Sequence, residues 1–201
     1  MTDSRTPAAL APVGYAEIVT DAPERHSRNG SSLFADPLAW LMAEAVEAAV
    51  RDCRTGLTES GDLSEIGDLV GMIAISEVCT LDTMRLIARA TPRGRLSPLK
   101  FAGANPGSLA GLACIRQGFR GPTLTLSMPP AAALRTALDV AASWFGRGSA
   151  RYVLLGTHRQ DGDTHAVRCA VLQSVRAPEP HAESALARLA APVPTTVAAT
   201  S

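Results

Sequence analysis

The chain has 201 residues, 19 basic and 19 acidic side chains, and a hydrophobic content of 46%. That is enough for one domain with a substantial core. The neutral balance excludes a general pull toward nucleic acid or an anionic membrane, and an aromatic content of 4% leaves little for base-stacking platforms. No apolar run approaches the ~18 residues of a membrane span. The opening MTDSRTPAAL lacks the charged start and apolar centre of a secretory signal, so a cytoplasmic chain is expected. Cys53, Cys79, Cys114 and Cys169 form no CxxC pair and sit in apolar runs, as small buried hydrophobes do. Neither a metal nor a cofactor is implied. Lys100 is the only lysine; every other basic side chain is arginine.

In chain order, residues 1–12 are polar and proline-containing, and read as a flexible arm. YAEIVT (15–20) is a short strand and residues 22–32 are loop. Asp36-Pro37 supplies an N-cap and a proline at the first helical position. The helix that follows has Leu38, Leu41, Ala45 and Ala49 at core spacing. After a turn-rich linker (55–68), LVGMIAIS (69–76) reads as a strand buried on both faces. Thr80 can cap a helix over LDTMRLIARA. Residues 91–107 form a long loop with three prolines and three glycines, a length that is often functional. A helix of small residues (107–119) precedes the strand LTLS (124–127). AAALRTALDVAASWFG (131–146) is an amphipathic helix, and RYVLLGT (151–157) a buried strand. QDGD (160–163) is a hairpin turn of the Asp-Gly type, which pairs THAVRCAVLQSV (164–175) antiparallel. From Ala177 on, the Pro/Ala/Thr-rich tail reads as disordered. Strands alternating with helices predict an α/β fold: a mostly parallel sheet with helices packed on it and an antiparallel edge hairpin. The core unit spans 13–176 and the tail 177–201.

Several features of residues 97–156 fall in register with one known pattern. Ser97-Pro98 opens the long loop, and Gly111 and Gly118 take small positions of the next helix. Arg120-Gly121-Pro122 is an R-G-P turn, Thr125-Leu126-Ser127 stands in place of T-V-S, and Leu134 lies on the following helix. Gly148 to Gly156 resembles G-x-A-D-x-x-L-x-G, with Arg151 where Asp is usual. Together these resemble the amino-terminal half of the β-ketoacyl synthase family, which has the thiolase fold.

Two departures change what the resemblance implies. The family's nucleophilic cysteine follows T-V-S-x-x, at a helix N-terminus whose dipole favours thiolate; here that position is Pro130, which keeps the helix start and has no nucleophile. The family's two histidines come from a carboxy-terminal half, and no H-G-T or G-H-x-x-G motif occurs. His26, His158, His165 and His181 are expected in loops, strand ends or tail. His158 reads as a hydrogen-bonded structural residue rather than a catalytic one.

The resemblance therefore implies a truncated, chain-length-factor-like subunit with no catalytic residues of its own. It would form a heterodimer with a full-length ketosynthase in polyketide or polyene biosynthesis, and meet acyl carrier protein only indirectly. In this family the third strand pairs across the subunit interface, which places Leu124, Thr125, Leu126 and Ser127 there. Leu99, Lys100 and Phe101 fall near the gate of the acyl tunnel, with Met128 a further wall candidate. Lys100 either ends the tunnel, meets a partner carboxylate, or is an exposed loop lysine. The alternatives are a homodimeric scaffold using the same strand and an acyl-thioester hydrolase using Ser127.

Overall fold

The computed structural model describes residues 9–28, 35–53, 63–94, 98–177 and 182–194. Its elements run β1 (Ala9–Thr20), α1 (Pro37–Arg51), β2 (Val70–Ser76), α2 (Leu81–Ala90), α3 (Pro98–Gly103), α4 (Ser108–Gln117), β3 (Thr123–Leu126), α5 (Pro130–Gly146), β4 (Tyr152–Asp161), β5 (Thr164–Val175) and α6 (Ala182–Arg188), with short 3-10 turns between some of them. Ser97 and most of the linker at 55–68 lie outside the described residues.

The five strands form one sheet in the order β1-β5-β4-β2-β3. β2 is parallel to β3 and β4, while β5 is antiparallel to β4 and β1. Four strands therefore share one direction and β5 runs against them. The hairpin expected at the edge lies inside the sheet, because β1 pairs beyond β5. The burial of β5 reflects this: Ala166, Val167, Cys169, Ala170, Val171 and Leu172 are all shielded.

Strand alternation separates two cores. Met72, Ala74, Leu154, Val167, Cys169 and Val171 face α1 and α4. Ile73, Ile75, Val153, Leu155, Ala170 and Leu172 face α5 and the C-terminal segment. Asp36 starts α1 by accepting the Leu38 N–H at 2.8 Å. Its other oxygen accepts the Thr83 hydroxyl at 2.6 Å and the Thr83 N–H at 3.2 Å, which ties α2 to the same carboxylate. Burial raises the Asp36 pKa, and these hydrogen bonds oppose the rise. Gly156 leaves its face of β4 open for the Met42 thioether and the end of Met72.

Several boundaries differ from the expectation. β1 begins at Ala9, inside the stretch read as an arm, and the strand expected at 15–20 is 12 residues long. The loop at 91–107 contains α3, and its Thr91–Arg93 portion is a 3-10 turn. The central residues of the β4–β5 turn are Gly162 and Asp163, since Asp161 still pairs with Thr164; Gly162 supplies the positive φ of 56°. His165 lies at the start of β5, a strand end as expected, while His158 lies inside β4, which continues past the expected end at Thr157. The tail read as disordered contains α6 and Leu189, which is 0% exposed in the second core.

Candidate functional site

β3 is the shortest strand and sits at one end of the sheet, paired only with β2 among the described residues. Met72 is in register with Thr123, and its N–H donates to the carbonyl of Pro122 at 2.9 Å. In parallel pairing this pattern turns the backbone N–H and C=O of Thr123 and Thr125 away from β2. Leu124 and Leu126 pack half-buried onto the second core, while Thr123 and Ser127 are exposed. The expected interface residues thus form a row whose outward hydrogen-bonding groups have no strand beside them.

β3 runs through Ser127 and Met128, the latter 38% exposed, into α5. Pro129 is the N-cap and Pro130 the first helical residue; the Ala132 and Ala133 N–H groups both donate to the Pro129 carbonyl at 3.0 Å. Pro130 is buried and has neither a thiol nor an N–H. It lines a cleft of about 240 Å³ with Glu77, Val78, Pro129, His158, Arg159 and Gln160.

Leu99, Lys100 and Phe101 lie exposed on α3 and do not line that cleft; Leu99 is 57% and Phe101 55% exposed. Being exposed, the Lys100 ammonium carries no burial cost in this chain alone. Next to them α2 presents Leu81, Met84 and Leu86 to solvent, with Met84 53% and Leu86 56% exposed. The sequence reading singled out none of these three. On α2 only Thr83 and Ile87 are buried, so the remaining apolar side chains exceed what its core contact uses, an excess visible only once the helix is placed.

A polar cluster sits at the C-terminal ends of β2, β3 and β4. Ser76 Oγ is 2.9 Å from His158 Nδ1, and His158 Nε2 is 3.0 Å from His165 Nδ1. Ser76 Oγ also accepts the Cys79 N–H at 2.9 Å. Cys79 adopts φ 45°, and its Sγ donates to the Ser76 carbonyl and lies 3.3 Å from Ser127 Oγ. The Ser76–His158 contact has the spacing of a nucleophile and its base. Two facts decide against that role. Ser76 is 0% exposed, and burial, reinforced by His165, pulls the His158 pKa down to about 3, far too low for a base matched to neutral pH. His158 is hydrogen-bonded through both ring nitrogens, to Ser76 and to His165. Ser127 touches Cys79 Sγ, and no histidine among the described residues is hydrogen-bonded to it. No group of side chains suited to a metal ion occurs among the described residues, and no helix among them is long and apolar enough to cross a membrane.

Comparison with known proteins places this geometry in a fold. A scan against family models finds no match, and a search of curated proteins finds none. Solved structures do match. The ishigamide ketosynthase/chain length factor matches over 85% of this chain and 63% of its own, at 14% identity and a TM-score of 0.64. A type II PKS acyl-carrier protein in complex with its ketosynthase bound to the hexaketide matches over 84% of this chain and 64% of the matched chain, at 14% identity and a TM-score of 0.58. A ketosynthase in complex with its chain length factor from Xenorhabdus doucetiae matches over 92% of this chain and 92% of the matched one, at 10% identity and a TM-score of 0.60. The fold is thus the thiolase-like one of ketosynthase-type chains. This chain spans less than two thirds of the first two matched chains and nearly all of the last.

Proposed function

We propose that this chain is a chain-length-factor-like partner of a β-ketoacyl synthase in polyketide or polyene biosynthesis, and that it performs no condensation itself. The observation that carries this reading is the bare strand β3, which offers Thr123 and Thr125 outward and leads into a helix started by Pro130. The likeness over 92% of both chains to a chain from a ketosynthase complex supports it, because that chain is of similar length.

In this reading the chemistry belongs to the partner: transfer of an acyl group to its cysteine, then decarboxylative condensation with a malonyl unit on acyl carrier protein. This chain contributes an added strand and an apolar surface. Leu124, Thr125, Leu126 and Ser127 join the partner's sheet, while Leu99, Lys100, Phe101 and Met128 face its acyl tunnel. The exposure of Leu99 and Phe101 supports the second assignment, since both are large apolar side chains without cover in the chain alone.

Co-expression with a ketosynthase encoded beside it, followed by size exclusion with mass detection, tests the partnership. A 1:1 complex is expected. A stable monomer that ignores such ketosynthases refutes it, and a dimer of this chain alone through β3 establishes the homodimeric scaffold instead. Phe101→Ala and Lys100→Ala are expected to shift product chain length without stopping condensation; an unchanged product profile in both removes the tunnel role. Thioester hydrolysis by the chain alone, lost in Ser127→Ala, would establish the hydrolase.

A further inference from the structure

The C-terminal segment lies on the sheet in a manner that its composition does not suggest. Glu17, Arg168 and Thr157 stand in one cross-strand row over β1, β5 and β4, since Arg168 is in register with both of the others. Arg168 is 3% exposed. Its Nε donates to Glu17 at 2.8 Å, which fixes the guanidinium in the plane of the row. The two terminal nitrogens then donate to the carbonyls of Ala191 and Pro192, at 2.7 and 2.8 Å. Thr157 Oγ1 donates to the Leu189 carbonyl at 2.6 Å, and Arg159 donates to the Ala190 carbonyl at 3.2 Å. Four successive carbonyls, 189 to 192, are each held by a side chain from the sheet. Only one side chain of that stretch is fully buried: Leu189, packed in the second core with Leu172 and Leu155. Just before it, the Arg188 guanidinium lies 4.2 Å over the Tyr15 ring.

This arrangement resembles a receptor more than a continuation of the core. Core packing reads side chains, whereas these contacts read main-chain carbonyls with charge-assisted donors. The small side chains of Ala190 and Ala191 allow the backbone to approach the donors. Were the segment absent, the guanidinium would exchange two of its three protein acceptors for water, so the segment both covers it and satisfies it.

We propose that the β1–β5–β4 face is a peptide-binding groove, and that the chain's own residues 182–192 occupy it as an intramolecular ligand. The groove recognises the exposed main-chain carbonyls of the turn that ends α6 and of the residues after it, through Thr157, Arg159 and Arg168, and selects one aliphatic side chain at the Leu189 position. The segment is therefore separable: it binds after cleavage from the body and exchanges with a free peptide of the same sequence. This inference is independent of the ketosynthase partnership, which uses the opposite end of the sheet.

The test places a specific protease site at 177–181 of the full chain, cleaves it, and follows the fragment by native mass and gel filtration, with a labelled synthetic peptide of residues 182–194 as competitor. The fragment is expected to stay with the body and to be displaced by excess peptide. Thr157→Val is expected to weaken retention about tenfold, and Arg168→Gln about a hundredfold or more. A peptide carrying Leu189→Ala leaves the body untouched and is expected to compete at least thirtyfold less well, the loss of a buried leucine. If cleavage unfolds the body, refolding on addition of the peptide supports the groove and failure to refold overturns it. Immediate loss of the fragment with an unchanged unfolding midpoint overturns it too, as does equal competition by the Leu189→Ala peptide.

Discussion

The two ends of the sheet are protected to very different degrees. β1 is 12 residues long, and it carries several features that discourage further pairing: Pro12, an irregularity between Pro12 and Gly14, and the charged Glu17. Its faces are also occupied. Gly14 lies directly against the carbonyl of Ala49 on α1, and α6 and the segment after it lie on the other side. β3 has none of these pairing deterrents, although α4 and the second core lie against it. Its four residues are Thr-Leu-Thr-Leu, with no proline, charge or bulge, and large apolar side chains stand exposed on α2 and α3. The tail covers one face at the β1 end of the sheet, and in the proposed function the plain β3 edge is the one that a partner completes. In that reading the contrast separates what the chain supplies for its own stability from what it holds out to a partner.

The largest effect on the chain alone is expected at the finished end. Arg168→Met removes the donor to Glu17, Ala191 and Pro192, and should cost about 2–3 kcal/mol in urea unfolding, the range for lost charge-assisted hydrogen bonds, since Glu17 remains partly in water. A change near zero would mean that the row does not anchor the tail. Leu189→Ala deletes a fully buried side chain and should cost about 2–3 kcal/mol.

Acid should act next. The folded-state pKa of His158, about 3, lies below the ordinary histidine value of 6.5. The unfolded chain therefore takes up a proton that the folded chain refuses. The contribution of neutral His158 is intact above pH 6.5 and is lost as pH falls toward 3, with a slope approaching about 1.4 kcal/mol per pH unit. Burial lowers the His165 pKa in the same direction. Chemical denaturation between pH 7 and pH 4 measures this slope, and a flat profile contradicts the buried neutral pair.

The smallest effect on the isolated chain is expected at β3. Thr123→Pro falls at the first residue of the strand, where proline is tolerated, and should change stability by no more than about 0.5 kcal/mol. It removes an outward N–H, so association with the ketosynthase should weaken about tenfold. The reverse pattern, loss of stability with unchanged association, would remove β3 from the interface.

Much of the site end was legible in the sequence because its signals are local. Asp36-Pro37 marks a helix start through chemistry confined to neighbouring residues, and the run at 69–76 is apolar because β2 is covered on both faces. The turn, strand and proline-started helix at 121–146 could be read the same way. The tail could not. Its burial depends on carbonyls, which every residue has, and on Arg168, which looked like one arginine in a strand. α3, six residues long, is too short to show periodicity. The φ of 45° at Cys79 has no sequence signature. The histidine pair was within reach: a two-residue turn at Gly162-Asp163 sets His158 opposite Val167, and so diagonal to His165. The expected turn, centred one residue earlier, would set His158 directly opposite His165; the pair was hidden because the expected strand ends at Thr157.

Hydrogen exchange at the amides of Thr123 and Thr125, measured in the chain alone and bound to a ketosynthase, tests the central claim most directly. The account predicts that both exchange rapidly in the free chain and become protected in a 1:1 complex, while the β1 amides are unchanged. Equal rates at Thr123 and Thr125 in the two states would contradict it.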